Sequence, residues 1–380
     1  MDFHLSAEQE ALKQEAEAYA RDVLEPKAWE LDRTGVYDDE HLRGAVRKFS
    51  KVRTAKKYGG LEMGMMGWVL VMEAMSYSCV ATAMNLSISG TMGEQIDVLP
   101  EAIVNKYGKE RLLAGEVTGC AVISEPQAGS DVTGFTTTAL EDGDDYVING
   151  KKAFITNGQA GDVYFLYALT APELGVRKGL SILAVPRETP GITVAKDVDK
   201  LGLRGSRTPE IHFDNVRVPK TYQYGEKNRG YSWALSRIDT GRISVSAQAV
   251  GLAQRALDES IKYIKEREAF GKPLAANQAL QFYIAEMQTE IEMARLLTYK
   301  AAMLRDEESP ESPLYAAMAK SYAPEMALRA AQKAIQMHGA NGCTVDYVVE
   351  RLYRDIHALR IYDGTIEIQK LVVAKNVLKK

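Results

Sequence analysis

The stretch GCAVISEP, residues 119–126, begins a change of texture that decides the fold. Beyond it, short runs rich in Tyr, Val, Ile and Phe alternate with Gly, Pro and Asp. They are DDYVINGKKAFITN (144–157), VYFLYAL (163–169), LSILAVP (180–186), GITVAKDV (191–198) and EIHFDNVRVP (210–219). β-Branched and aromatic residues suit a pleated, half-buried surface, so runs of this length between turn residues read as strands. Asp142-Gly143 and Asn149-Gly150 are hairpin dipeptides. Residues 119–225 are therefore expected to form an antiparallel β domain, closed as a barrel.

On both sides the apolar period becomes helical. Upstream, Leu5, Leu12, Ala16, Tyr19 and Leu24 make an apolar stripe, and Ser6 with Gln9 has the spacing of a capping box. Helix signals continue over 40–50, 66–88 and 100–115, with a break at Gly59-Gly60. Downstream, residues 234–268 lack Pro and repeat apolar residues at helical spacing. Further helices are expected over 275–306, 313–338 and 343–357, the first two separated by ESPESP. The fold class is α+β: an N-terminal helical domain (1–118), a middle β domain (119–225) and a C-terminal four-helix bundle (226–380).

Composition excludes several functions. Lys plus Arg is 47 and Asp plus Glu is 51, a net charge of −4, which argues against a nucleic-acid binder working through bulk charge. Three scattered cysteines with no CxxC, and five histidines with no HExxH, argue against a disulfide framework or a metal site. The N-terminus has no signal-peptide pattern, and no apolar run reaches the length of a membrane span, so a reduced, cytoplasmic location is expected.

Four motifs carry chemistry. SEPQAGSDVTG (124–134) ends a strand with hydroxyls at Ser124, Ser130 and Thr133, suited to a polar cofactor rim; a plain turn is the alternative. FITNG (154–158) sets Phe154 beside Thr156, an aromatic and a hydroxyl that could hold a flat ring, or a core Phe and a turn. In KEREAFGKPLAANQALQF (265–282) the Arg267 guanidinium fork fits phosphate oxygens, unless it caps a solvated helix end. QMHGANG (336–342) could turn backbone N–H groups to a phosphate, and it is followed by RIYDGTIEIQKLVVAKNVL (360–378), where Asp363-Gly364 also reads as a tight turn.

Taken together and in this order, these motifs resemble the acyl-CoA dehydrogenase family. YGG (58–60), LGLRGSRTPEIHFDNVRVP (201–219) and AVGLAQRALDESIKYIKERE (249–268) extend the resemblance over nearly the whole chain. It implies an FAD enzyme, commonly a homotetramer, that removes the α-proton of an acyl-CoA while the β-carbon gives hydride to flavin N5. Electron-transferring flavoprotein is the implied acceptor.

Residue by residue, the resemblance puts Val122, Ile123, Ser124, Phe154 and Thr156 around the flavin. It puts Arg267, Phe270, Gln278, Gln336, Gly339 and Asn341 around the diphosphate and adenosine, and Thr365 and Glu367 at the adenine end. Ser130, Asp239 and Arg242 match positions that contact CoA. Met84 and Met92 are expected in the acyl pocket, with Tyr362 and Gly364 flanking the base. No metal ligand is implied.

The base position holds Asp363, where the family usually has Glu, and the alternative base position is Gly241. An acid shorter by one methylene withdraws the carboxylate by ~1.5 Å. Either the substrate is bulkier at the α-carbon, as in an α-branched or alicyclic acyl group such as cyclohexane-1-carboxyl-CoA, or α-deprotonation is no longer this enzyme's step, which would then require another acid in the pocket, from the 85–97 stretch containing Glu94 and Asp97. Rival readings are an enoyl-CoA reductase running in reverse, an acyl-CoA oxidase and a non-enzymatic FAD-binding homologue.

Overall fold

A computed structural model describes residues 4–379. The N-terminal part contains α1 (Ala7–Tyr19), α2 (Glu25–Thr34), α3 (Asp39–Phe49), α4 (Gly64–Ser78), α5 (Val80–Ser89), α6 (Glu101–Tyr107) and α7 (Lys109–Leu113). The capping box is present: Gln9 N donates to Ser6 Oγ at 3.2 Å and Ser6 N donates to Gln9 Oε1 at 2.9 Å. The helix expected over 66–88 is two helices, because Cys79 is extended (φ −149°, ψ 97°) and turns α5 away from α4. The 100–115 segment is likewise divided, at Gly108.

The middle part contains β1 (Gly119–Val122), β2 (Thr138–Asp142), β3 (Asp145–Lys152), β4 (Val163–Leu169), the short α8 (Val176–Gly179), β5 (Leu180–Pro186), β6 (Ile192–Val194), β7 (Ile211–Pro219) and β8 (Gln223–Tyr224). The strand order is β6-β7-β3-β2-β4-β5-β8, with β1 paired to β4. The neighbouring pairs are antiparallel except that β1 runs parallel to β4 and β2 meets β4 in parallel at Thr138. The sheet is thus mixed: the β2–β3 hairpin lies between β1 and β4 in the chain and gives the crossover length a parallel pair needs.

The Asp142-Gly143 hairpin joins β2 to β3 as expected. Asn149-Gly150 is no turn; both residues lie inside β3, where the register against β7 shifts between Ile148 and Gly150. A β-carbon on Gly150 would stand 2.5 Å from Thr137 Oγ1, so the glycine marks a bulge with close approach.

The C-terminal part contains α9 (Gly230–Glu266), the hairpin β9 (Glu268–Ala269) and β10 (Lys272–Pro273), α10 (Gln278–Asp306), α11 (Ser312–His338), α12 (Val348–Leu359) and α13 (Ile366–Val377). α12 starts later than the expected 343 because Gly339–Cys343 forms a 3-10 turn. α13 is not among the expected helices; its apolar residues are spread over buried, half-buried and exposed positions and give no one-sided stripe. One apolar core joins α1–α5 to α9–α12, with the long α9 packed between α4, α10 and α11. Among the described residues, no helix is long and apolar enough to cross a membrane.

Candidate active site

α9 carries Trp233, Arg237 and Gly241 at four-residue spacing, which puts them on one face, one above the other. That face lines a cavity of about 510 Å³, closed by Ile123 after β1, by Thr91 and Glu94 after α5, and by Asp363 between α12 and α13.

Asp363 is held by its surroundings. Its backbone is left-handed (φ 54°), a conformation Asp tolerates better than most side chains. Gln369 Nε2 donates to the carbonyls of Asp363 (3.1 Å) and Gly364 (2.9 Å), and Thr365 caps α13. Lys320 of α11 is fully buried and donates to Leu359 O at 2.7 Å, fixing the end of α12. The residue keeps partial exposure through the cavity, while the surrounding protein desolvates its carboxyl. That burial pushes Asp363 above the usual aspartate range, against the opposing pull of Lys320 and Arg242. Burial also drives the Lys320 ammonium down to about 8, with Asp363 pulling it up.

Beside Gly241, Arg242 Nη1 donates to Asp239 Oδ1 at 2.7 Å, and Arg242 Nε is buried without a partner. Burial raises Asp239, while Arg242 and Arg305 pull it down.

The loop 124–134 is anchored from below. Lys152 Nζ lies 3.0 Å from Glu125 Oε1 and donates to Ile123 O at 2.7 Å, and the N–H groups of Thr136 and Thr137 donate to Glu125 at 2.8 and 3.0 Å. Burial alone would raise Glu125; Lys152 and the threonine bonds outweigh it and hold the carboxyl at about 2. Ser124 stays half-buried and Ser130 is exposed on this rigid support.

A second cavity of about 500 Å³ is lined by Arg267, His338 and Asn341. Asn341 Nδ2 donates to the hydroxyls of Tyr263 and Tyr347, and Tyr263 stacks on His338 with ring centroids 4.2 Å apart. Gln336 and Gly339 adjoin it on the exposed end of α11.

The structure therefore brings Ile123 and Asp363 to one cavity, and Arg267 and Asn341 to another. Phe154, Phe270, Gln278 and Glu367 are exposed on the single chain, and Thr156 is half-buried. Phe154 and Phe270 both have positive φ (56° and 55°), a strained conformation for a bulky residue that turns each ring outward. Val122 points into the core of the sheet, leaving only its backbone to a ligand.

The expectation for Met84 and Met92 is corrected: both are packed in cores, and neither lines the Asp363 cavity. Tyr362 donates its hydroxyl to Gln248 Oε1 at 2.7 Å. Of the alternative acids, Glu94 reaches the cavity but is bound by Arg53 at 2.5 Å, and Asp97 pairs with Lys57 and Tyr58 outside the cavity. A larger cavity of about 700 Å³ lies between α1, α4, α9 and α10; it contains none of the candidate residues, and Arg255 and Arg295 in it are paired with Glu25 and Glu73.

Sequence reading missed Arg237 and Lys320. The four-residue step from Gly241 would have found Arg237; nothing in the local sequence around Lys320 marks it as buried beside Asp363.

The donor set fits a flavin dinucleotide. Arg267 forms no ion pair among the described residues and offers a fork for a diphosphate, and the outward rings of Phe154 and Phe270 offer flat apolar faces. A helical, β, helical chain with such sites is a three-part flavoprotein.

Comparison with known proteins is specific. Residues 6–112, 120–216 and 228–378 match the N-terminal, middle and C-terminal domains of acyl-CoA dehydrogenase. Cyclohex-1-ene-1-carbonyl-CoA dehydrogenase of Geobacter metallireducens is 37% identical, with 99% of each chain covered. Butyryl-CoA dehydrogenase of Megasphaera elsdenii superposes with TM-score 0.94 at 34% identity over 100% of both chains. A chain from a structure reported as the electron transferring flavoprotein of Acidaminococcus fermentans superposes with TM-score 0.92 at 35% identity, again over 100% of both. The chain belongs to the acyl-CoA dehydrogenase family. It is an FAD-dependent oxidoreductase acting on the CH–CH group of an acyl-CoA.

Proposed function

We propose that Asp363 is the base that removes the α-proton of an acyl-CoA thioester whose α-carbon is branched or part of a ring. The observation that carries this reading is the carboxyl of Asp363, which faces the cavity next to the bare backbone of Gly241. The carboxylate form of Asp363 accepts the proton at a carboxyl oxygen, and desolvation makes that oxygen more basic than in water. The backbone N–H of Asp363 is the proposed donor to the thioester carbonyl, where enolate charge develops. Ile123 and the bound acyl group exclude water. Bound FAD supplies the oxidant that takes the β-hydrogen with its electron pair.

Ile123, Ser124, Phe154 and Thr156 would hold the flavin, with Val122 contributing backbone. Arg267, Phe270, Gln278, Gln336, Gly339, Asn341, Thr365 and Glu367 would hold the diphosphate and adenosine across a homotetramer. The exposed Phe270, Phe282 and Leu371 support such an assembly. Ser130, Asp239 and Arg242 would meet the CoA portion. Likeness to the Acidaminococcus fermentans flavoprotein structure supports electron-transferring flavoprotein as acceptor. Three free cysteines are consistent with the cytoplasm.

The short acid and the 37% identity to a cyclohexene-carbonyl-CoA enzyme support the ring-bearing acyl group. Anaerobic bleaching of the FAD-loaded chain tests it: cyclohexane-1-carboxyl-CoA should bleach the flavin faster than butyryl-CoA, and the reverse order overturns the ring assignment.

A further inference from the structure

The cavity that holds Asp363 contains a cation with no carboxylate partner. Arg237 stands one helical turn before Gly241 on the same face of α9, about 6 Å along the axis from it. Its Nη2 donates to Tyr224 Oη at 3.0 Å, and the guanidinium lies 5.9 Å from the Tyr224 ring centroid. Tyr224 in turn donates to Gln95 Oε1 at 3.0 Å, so the tyrosine is a fixed support for the arginine. The remaining N–H groups of Arg237 bond no protein atom among the described residues.

The nearby acids are engaged elsewhere. Glu94 faces Arg237 but is bound by Arg53 at 2.5 Å. Asp239 is bound by Arg242, and Asp363 faces Arg242 and Lys320. Arg305, a further cation at this cavity beside Arg53 and Arg237, donates to Ser236 Oγ and faces Asp239. A guanidinium that opens on the cavity with only a neutral hydroxyl as partner keeps N–H groups free for a ligand, and its planar fork matches a carboxylate.

Resting on the dehydrogenase reading of this site, we infer that Arg237 selects an acyl group carrying a second carboxylate at the end remote from the thioester. The roughly one-turn offset between Gly241 and Arg237 suits a short chain or one six-membered ring between the two carboxyl carbons. Arg237 would then bind the free carboxylate bidentately while Asp363 meets the α-carbon at the other end.

The test uses the FAD-loaded full chain with two probes: cyclohexane-1-carboxyl-CoA and the CoA monothioester of cyclohexane-1,4-dicarboxylic acid. Equilibrium binding is measured on the Asp363→Asn protein, which separates recognition from turnover. The carboxylated thioester should bind at least about 10-fold more tightly, the range of a hydrogen bond to a charged group. Adding Arg237→Met should erase that preference and leave the neutral thioester within about 3-fold; Arg237→Lys should restore part of it. Equal affinity for the two probes overturns the inference, as does an equal loss for both in Arg237→Met, which would make Arg237 a CoA contact or a support for Tyr224. If the preference is found but neither probe bleaches the unmodified enzyme, the dehydrogenase reading fails and the carboxylate site stands.

Discussion

The carboxyl of Asp363 occupies the space a side chain on Gly241 would need: Oδ2 lies 2.6 Å, and Cγ 2.9 Å, from the point where a β-carbon would stand. The short acid and the missing side chain are complementary. Gly241→Ala should force the carboxyl aside by about 1 Å, and a misplacement of that size reduces turnover roughly 100-fold. Rapid-mixing measurement of flavin reduction checks this, with flavin absorbance confirming that cofactor binding is retained. Unchanged reduction would mean that the carboxyl works from another rotamer.

Lengthening the acid tests the same fit from the other side. Asp363→Glu puts one more methylene into space bounded by Gly241 and by the α-carbon of the substrate. Turnover of the ring-bearing thioester should fall more than that of butyryl-CoA, so the ratio of their kcat/KM values should shift toward the straight chain. Asp363→Asn should abolish reduction by both. Substantial activity in Asp363→Asn would return the proton to Glu94, the other acid at the cavity.

The pH dependence follows from the raised Asp363 carboxyl. Only the carboxylate is a base, so kcat/KM should fall with acid on a limb lying above the ordinary aspartate value of 3.8. The stability effect has the opposite sense. Between the unfolded and folded values the native state holds more proton than the unfolded chain, so stability falls as pH rises through that window. Asp363→Asn should therefore melt higher than the unmodified protein at pH 7, with the difference shrinking as pH drops below 3.8. Paired melting curves across this range read it directly.

Much of this architecture was legible because it depends on local rules. Ser6 and Gln9 announced α1, and Asp142-Gly143 announced the β2–β3 turn, since each bond involved spans a few residues. Asn149-Gly150 misled because the same dipeptide serves a bulge when Thr137 of the neighbouring strand packs against the glycine. The break at Cys79 was hidden because α4 and α5 are buried on nearly all sides, and burial removes the periodic signal. At the site, the motifs located Asp363 and Arg267, but Met84 and Met92 differ from any other core methionine only in three dimensions. Lys320 was invisible for the same reason: what matters is the partner it finds across the fold.

Breaking the buried pair below the 124–134 loop should be costly. Glu125 and Lys152 are both buried and lie 3.0 Å apart, and Glu125 also receives the Thr136 and Thr137 N–H groups. Glu125→Gln leaves the Lys152 ammonium with Ile123 O as its remaining partner. Removing one member of a buried pair destabilises by about 3–5 kcal/mol. Chemical denaturation should report a loss of that order. An effect below about 1 kcal/mol would mean that water reaches the pair.

Lys320 separates a structural role from an electrostatic one. Its ammonium holds the Leu359 carbonyl and faces Asp363, and burial lowers it to about 8 from 10.5. Lys320→Met removes a positive charge that favours the Asp363 carboxylate, so the acid limb of kcat/KM should move to higher pH. A purely structural lysine would lower the amount of folded enzyme without moving that limb. Linkage gives a second readout: between about 8 and 10.5 the unfolded chain holds more proton than the native state, so this group makes stability rise with pH. The rise amounts to roughly 3 kcal/mol across the full window, at about 1.4 kcal/mol per unit. Denaturation of the two proteins at pH 7.5 and pH 10 should show most of that increment, about 2 kcal/mol, in the unmodified protein over Lys320→Met. Parallel stability curves and an unmoved acid limb would together refute the electrostatic role.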